Sequence, residues 1–133
     1  MKTFMKKNLQ VTVSEKKSGR YVPSRGDVVW LSFNPQSGHE QSEHRPVIVI
    51  SPKEYNEKVG LAIFCPITSK IKNYPFEVKI IIKDLINGAI LADQLKSLDW
   101  EKREAKYIAK VPKRILDDTI EKLNLLINKV DKE

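Results

Sequence analysis

Two apolar runs and the polar segment between them decide the fold of this chain: Asp27-Val28-Val29-Trp30-Leu31-Ser32-Phe33, then Ser37-Gly38-His39-Glu40-Gln41-Ser42-Glu43-His44-Arg45-Pro46, then Val47-Ile48-Val49-Ile50. The apolar runs are rich in β-branched and aromatic residues, which predicts two buried strands. The polar segment concentrates carboxylate, imidazole and guanidinium groups between them. Loops held by stiff strands often carry binding or catalytic groups, because the strands fix their position without burying the charges. The alternative is a solvated hairpin tip.

Further strand-like runs follow downstream. We predict strands over 61–68, 76–82, 89–92 and 107–111, a turn at Asn87-Gly88, one helical turn within 54–60 and a short helical or irregular excursion over 97–104. From Pro112 the period changes, because the apolar positions recur at spacings of four and three, as in an amphipathic helix: Leu116, Ile120, Leu123, Ile127 and Val130. The pattern predicts a β-dominated α+β domain, a small antiparallel barrel with a C-terminal helix docked on it.

Length and charge describe one domain with a basic tail. The chain has 133 residues and a formal net charge of +7, of which residues 1–20 carry +5. We therefore expect a disordered basic tail over 1–20 and a single folded domain over 21–133. The lone cysteine, Cys65, lies in an apolar run and is expected to be a core residue. No run of about 18 apolar residues occurs, which predicts a cytoplasmic protein with no membrane association.

Several kinds of chemistry find little support in the sequence. His39 and His44 are five residues apart, with Gly38 before them and Pro46 after, which does not suit the zinc-binding pattern of two histidines four apart on a helix. No glycine-rich phosphate loop is present, so we predict neither a metal nor a cofactor.

A metal-free phosphodiester site is the reading that remains. Arg45 lies beside Glu40 and His44, and Thr68-Ser69-Lys70 ends the third predicted strand. Cleaving RNA without metal requires removing a 2′-hydroxyl proton, stabilising a charged phosphorus intermediate and protonating the leaving 5′-oxygen. Arg45 could hold the phosphate, Glu40 or His44 could take a proton, and the Thr68 hydroxyl could bind a nonbridging oxygen. For Thr68 the alternative is a strand end whose hydroxyl bonds to backbone.

Residues 20 to 130 resemble the MazF/PemK family of bacterial toxin endoribonucleases, most of all its MazF branch. The matching positions include Arg20-Tyr21-Val22-Pro23, Gly26-Asp27, Phe33-Asn34-Pro35, Glu40-Gln41, His44-Arg45-Pro46, Tyr55-Asn56, Pro66-Ile67-Thr68, Tyr74-Pro75-Phe76-Glu77-Val78 and Ala92-Asp93-Gln94-Leu95-Lys96-Ser97. A related branch carries arginine where this chain has Leu91, so a catalytic role built on that arginine does not transfer.

The resemblance implies an SH3-like barrel that forms a homodimer and cleaves single-stranded RNA at a short sequence without metal. It also implies neutralisation by an antitoxin whose disordered acidic segment covers the RNA groove. The catalytic residues that it implies are Arg45, Thr68 and Glu40. The substrate-binding residues that we expect are His44, Gln41, Ser69, Lys70, Asp93, Gln94 and Lys96.

Two other functions stay open at this stage. A noncatalytic toxin of the same architecture could bind a protein such as DNA gyrase, since fold does not fix function, but it would not need the Arg45 and Thr68 pair. A plain RNA-binding barrel would need several exposed aromatic rings for base stacking. The sequence does not settle whether Trp30 or Phe33 faces the groove.

Overall fold

The computed structural model of the protein describes residues 20–33 and 43–131. Within them, seven strands and two helices occur in the order β1 (Asp27–Ser32), β2 (His44–Val49), α1 (Lys53–Val59), β3 (Leu61–Thr68), β4 (Glu77–Ile82), β5 (Ile86–Leu91), β6 (Lys96–Asp99), β7 (Lys106–Lys110) and α2 (Lys113–Ile127). No helix in these two ranges is long and apolar enough to cross a bilayer.

The strands form one curved antiparallel sheet, ordered β4-β5-β3-β2-β1-β7, in which β6 adds to the first half of β3. Strand β3 organises this curvature. Its first four residues pair with β6, Phe64 to Pro66 pair with β2, and Ile67 and Thr68 pair with β5. The resulting antiparallel half-barrel with a C-terminal helix confirms the predicted fold class.

Two apolar clusters cover the two faces of the central strands. Val28 and Ile48 point to the side that α2 covers with Ile115 and Leu123, whereas Val29 and Val49 point to the side that holds Trp100. Successive side chains of a strand alternate between faces. Because both faces are buried here, Val28 to Leu31 of β1 and Val47 to Val49 of β2 are continuously apolar, which is why both strands were predictable from the sequence.

Three local predictions were wrong. Strand β2 begins at His44, so Arg45 and Pro46 belong to a strand and not to the preceding loop. The Asn87-Gly88 turn does not form, because both residues lie inside β5 and the chain reverses at 83–85, where Leu85 donates to the Ile82 carbonyl over 2.9 Å. The excursion predicted over 97–104 instead contains strand β6 and only then a turn.

The helical predictions were right in kind and need adjustment in detail. Helix α1 has seven residues and ends at Gly60, whose φ of 87° is left-handed. On α2 the buried positions are Ile115, Thr119 and Leu123, while Ile127 is 65% exposed. Thr119 can be buried because its hydroxyl donates to the Ile115 carbonyl over 2.8 Å.

Candidate active site

A groove of about 520 Å³ opens where β2 and β3 run side by side. It contains six of the residues predicted from sequence, which come from three separate parts of the chain: Arg45, Thr68, Ser69, Lys70, Gln94 and Lys96. Its apolar lining includes Pro46, Pro66 and Ile67. The antiparallel pairing of Val47 with Pro66 sets the two predicted catalytic residues on neighbouring strands at the same groove.

The Arg45 guanidinium lies over an aromatic ring at the groove wall. It is 5.4 Å from the Phe33 ring centroid, and its Nη2 donates to Glu43 over 2.8 Å. A second guanidinium, that of Arg103, lies 5.6 Å from the same centroid. Of the two aromatic candidates, Trp30 in β1 and Phe33 directly after it, Phe33 is therefore the one that faces the groove. Because a cation above a ring is attracted by its quadrupole, the Phe33 ring restrains where Arg45 can point.

Arg103 is held by main-chain contacts to the end of β1. Its carbonyl accepts from the Ser32 amide over 2.9 Å, and its Nη1 donates to the Ser32 carbonyl over 3.2 Å. The adjacent Phe33 amide donates to the Glu43 carbonyl over 2.8 Å. These contacts fix the wall of the groove. Sequence reasoning missed Arg103, because a charged residue in a turn gives no signal of the ring that it will approach.

Thr68 ends β3 at the rim of the groove. Its Oγ1 accepts a hydrogen bond from the Lys70 amide over 3.0 Å. The bond to backbone that sequence reasoning considered for Thr68 is therefore present. It uses the hydroxyl as an acceptor, so the hydroxyl proton can still be donated to a substrate oxygen.

A second concavity of about 400 Å³ adjoins the groove, and Thr68, Lys70, Leu91 and Gln94 line both. Here the Tyr74 hydroxyl donates to Asp93 over 2.7 Å, and this bond to the carboxylate raises the pKa of Tyr74. The second carboxylate oxygen of Asp93 is buried without a hydrogen-bond partner. The two concavities, the groove and this side lobe, thus meet at Thr68.

Of the four remaining predicted site residues, two are among the described residues and two are not. Asp93 lines the side lobe, and His44 is exposed at the start of β2 but is not among the described residues that line either concavity. Glu40 and Gln41 lie outside the described residues.

Cys65 and the acidic side chains do not add a further centre to the groove. Burial, followed by the charge of Asp93, raises the pKa of Cys65 to about 12, which suits a core residue and not a nucleophile. Across 20–33 and 43–131, no three His, Cys, Asp or Glu side chains gather closely enough to hold a metal ion.

Comparison with known proteins places the chain in a family. Residues 24–127 match the family model described as PemK-like, MazF-like toxin of type II toxin-antitoxin system. The chain belongs to this family. The Escherichia coli K12 endoribonuclease toxin MazF is 43% identical over 108 residues, which cover 81% of this chain and 96% of that protein. The E. coli endoribonuclease PemK is 27% identical over 107 residues, covering 77% of this chain and 80% of that protein.

Solved structures agree with the family assignment. Crystal structures of Deinococcus radiodurans MazF (44% identity, TM-score 0.72) and of a MazE-MazF complex (39%, 0.73) match 83% and 84% of this chain and all of the matched chains. A mycobacterial endoribonuclease in complex with its antitoxin matches 83% of this chain and 99% of its own at 17% identity, with a TM-score of 0.65, and supports the fold alone.

Proposed function

We propose that this MazF-type endoribonuclease toxin cleaves single-stranded mRNA at a short sequence, without metal, and leaves 2′,3′-cyclic phosphate and 5′-hydroxyl ends. The observation that carries the proposal is that Arg45 and Thr68 line one groove from neighbouring strands. In this reaction the 2′-oxygen bonds to phosphorus, and the bond from phosphorus to the 5′-oxygen breaks. A base removes the 2′-hydroxyl proton, and the departing 5′-oxygen takes one up.

Arg45 and Thr68 would stabilise the charge that develops on the nonbridging oxygens. A guanidinium gives up its proton too reluctantly to be an efficient general acid, so Arg45 is assigned an electrostatic role. Thr68 would donate its hydroxyl proton to one nonbridging oxygen. Glu40 is the candidate base and His44 the alternative.

The RNA strand is proposed to cross both concavities, with the reacting phosphate near Thr68. The ammonium groups of Lys70 and Lys96 would contact flanking phosphates, while Ser69, Gln94 and Asp93 would contact sugars or bases, as would Gln41 from the segment before β2. The exposed ring of Tyr74 offers a stacking surface in the side lobe.

Control by an antitoxin follows the same electrostatics. The groove presents Arg45, Lys70 and Lys96, and a disordered acidic segment that covered them would exclude RNA. The D. radiodurans MazE-MazF complexes support such a partner for this chain. We propose in addition that the chain acts as a cytoplasmic homodimer and that 21–133 forms its single domain, with 1–20 a basic tail.

A cleavage assay in EDTA tests the proposal. The protein is incubated with a long single-stranded RNA, and the product ends are mapped. We expect discrete cuts with cyclic phosphate ends. Arg45→Ala and Thr68→Ala should each lower the rate about 100- to 1,000-fold, the cost of one preorganised donor to a developing oxyanion. Arg114→Ala is the matched control, because it removes an equal charge from the exposed side of α2 and should keep the wild-type rate.

Intact RNA in the presence of folded protein would contradict the endonuclease proposal and favour a noncatalytic toxin. Linear 3′-phosphate or 5′-phosphate ends as the first products would contradict the attack by the 2′-oxygen. Equal rate losses in Arg45→Ala and Arg114→Ala would assign the effect of Arg45 to overall charge and not to the groove.

A further inference from the structure

Gly88 lies in β5 at a point where the main chain of β3 leaves no room for a side chain. An ideal Cβ on Gly88 would lie 2.1 Å from the Thr68 carbonyl oxygen, 2.9 Å from its carbon and 3.4 Å from the Ser69 Cα. Unstrained contacts between carbon and a carbonyl oxygen are about 3.3 to 3.6 Å. Unlike Gly26 and Gly60, Gly88 does not have a positive φ. Space, and not backbone conformation, therefore requires glycine here.

Resting on the proposed function, we propose that Gly88 is a positioning residue for Thr68. Thr68 is the last residue of β3, and its Cα partner across the sheet is Ala89, the neighbour of Gly88. On the edge of β5 that faces away from β3, Gly88 pairs with Ile80 of β4, and this pairing restrains β5 from moving away from β3. The close approach of β5 sets how far the end of β3 can move toward it.

The close contact between Gly88 and the Thr68 carbonyl affects both the Thr68 hydroxyl and the Lys70 backbone. The Thr68 Oγ1 bonds to the Lys70 amide, so a displacement of the Thr68 main chain carries the hydroxyl and the Lys70 backbone with it. Arg45 has an anchor of its own, because β2 also pairs with β1, where Leu31 is the partner of Arg45, and the pairing of β2 with β3 stops at Pro66, before Thr68. A side chain at Gly88 would therefore move one member of the catalytic pair relative to the other.

The displacement that an added methyl requires is large enough to lower the rate of a catalysed reaction. Relieving a 2.1 Å contact to an ordinary separation needs a shift of about 1 Å at the end of β3. A misplacement of about 1 Å can cost on the order of 100-fold in rate. We expect Gly88→Ala to lower kcat about 30- to 100-fold, with KM within threefold of wild type.

A double-mutant cycle with Thr68→Ala tests the mechanism. If Gly88 acts through Thr68, Gly88→Ala should lower the rate less than threefold further in the Thr68→Ala background, since coupled residues are not additive. Gly60→Ala is the matched control. It adds the same methyl at a φ of 87° with nothing within 4 Å of its Cβ, so it should lower the melting temperature and leave kcat unchanged.

The outcomes separate this inference from the proposed function. Wild-type protein that leaves RNA intact overturns both. Active wild-type protein with an unchanged Gly88→Ala rate, or with rate losses that multiply fully in the double variant, overturns the positioning role alone. Should Gly88→Ala not fold, Ala89→Gly loosens the same point of β5 without adding an atom, and we expect a three- to tenfold lower kcat that again disappears in the Thr68→Ala background. An unchanged kcat in Ala89→Gly would overturn the inference in that case.

Discussion

Replacing Phe33 by leucine tests whether the ring shared by two guanidiniums orients Arg45. The centroid of Phe33 lies 5.4 Å from the Arg45 guanidinium carbon and 5.6 Å from that of Arg103. Phe33 also packs against the apolar cluster that contains Leu31 and Trp100. Leucine keeps apolar bulk in this cluster and removes the π face, so the substitution isolates the cation–π contact more cleanly than alanine would.

The expected size follows from the exposure of the contact. A cation–π pair contributes about 0.5–1 kcal/mol when exposed and about 2 kcal/mol when desolvated. The Arg45 side chain is 59% exposed in the free protein, but RNA in the groove would cover it. We therefore expect Phe33→Leu to weaken the orientation of Arg45 by about 0.5–2 kcal/mol, which corresponds to a kcat about 2- to 30-fold lower.

Single-turnover RNA cleavage over a range of enzyme concentrations is the assay, because it separates binding from the chemical step. Loss of Arg45 orientation lowers the maximal rate, whereas loss of a base-stacking surface weakens binding at an unchanged maximal rate. Tyr107→Leu is the matched control, since it removes a half-exposed aromatic ring that contacts Tyr21 and not the groove. A maximal rate of Phe33→Leu within 1.5-fold of the control would refute the orienting role of the ring.

Two further predictions concern the fold that supports the groove. Asn56→Ala removes the amide that donates to the buried Pro23 and Ser51 carbonyls, at 2.8 and 3.1 Å. It should therefore lower the free energy of unfolding by about 3 kcal/mol in urea denaturation. Asn87→Ala, at an exposed position, is the control and should change the free energy of unfolding by less than about 0.5 kcal/mol. A loss below about 1 kcal/mol for Asn56→Ala would contradict a stabilising role of these two hydrogen bonds. Folding raises the pKa of the Cys65 thiol from 9.0 to about 12, so between these pH values the unfolded chain loses the thiol proton that the folded protein keeps, and stability should fall as the pH rises. Iodoacetamide should label Cys65 at pH 8 only after unfolding. Rapid labelling of the folded protein would contradict the burial of Cys65.

The strands and the C-terminal helix were predictable because their apolar residues repeat at the period of the element. Strand β3 was predicted at its observed bounds, 61–68, since the apolar run and the flanking glycine and polar residues coincide with it. Strand β6 was missed because Lys96–Asp99 is short and mostly polar. The Asn87-Gly88 dipeptide is typical of hairpin turns, but here glycine serves a close approach between strands.

Most of the residues that line the groove were named from the sequence, but their geometry was not predictable from it. The resemblance selected Arg45 and Thr68, but only the register of β2 against β3 brings them to one groove, and register is a tertiary property. Phe33 was left unassigned because a ring at a strand end can face the core or the groove. Arg103 approaches that ring through a turn whose path depends on β6, the strand that was missed.

The ion pair between Arg45 and Glu43 would not prevent Arg45 from binding a phosphate as proposed. Arg45 bonds to Glu43 over 2.8 Å, but the side chains are 59% and 54% exposed, so the pair contributes at most about 1 kcal/mol. A phosphate can accept two parallel bonds from the guanidinium and is a stronger partner than this solvated carboxylate. The position of Arg45 is set instead by the pairing of β2 with β1 and by the Phe33 ring. If Arg45 binds a phosphate as proposed, we therefore expect it to exchange Glu43 for the phosphate by a movement of its side chain, without a change in the strands that carry it.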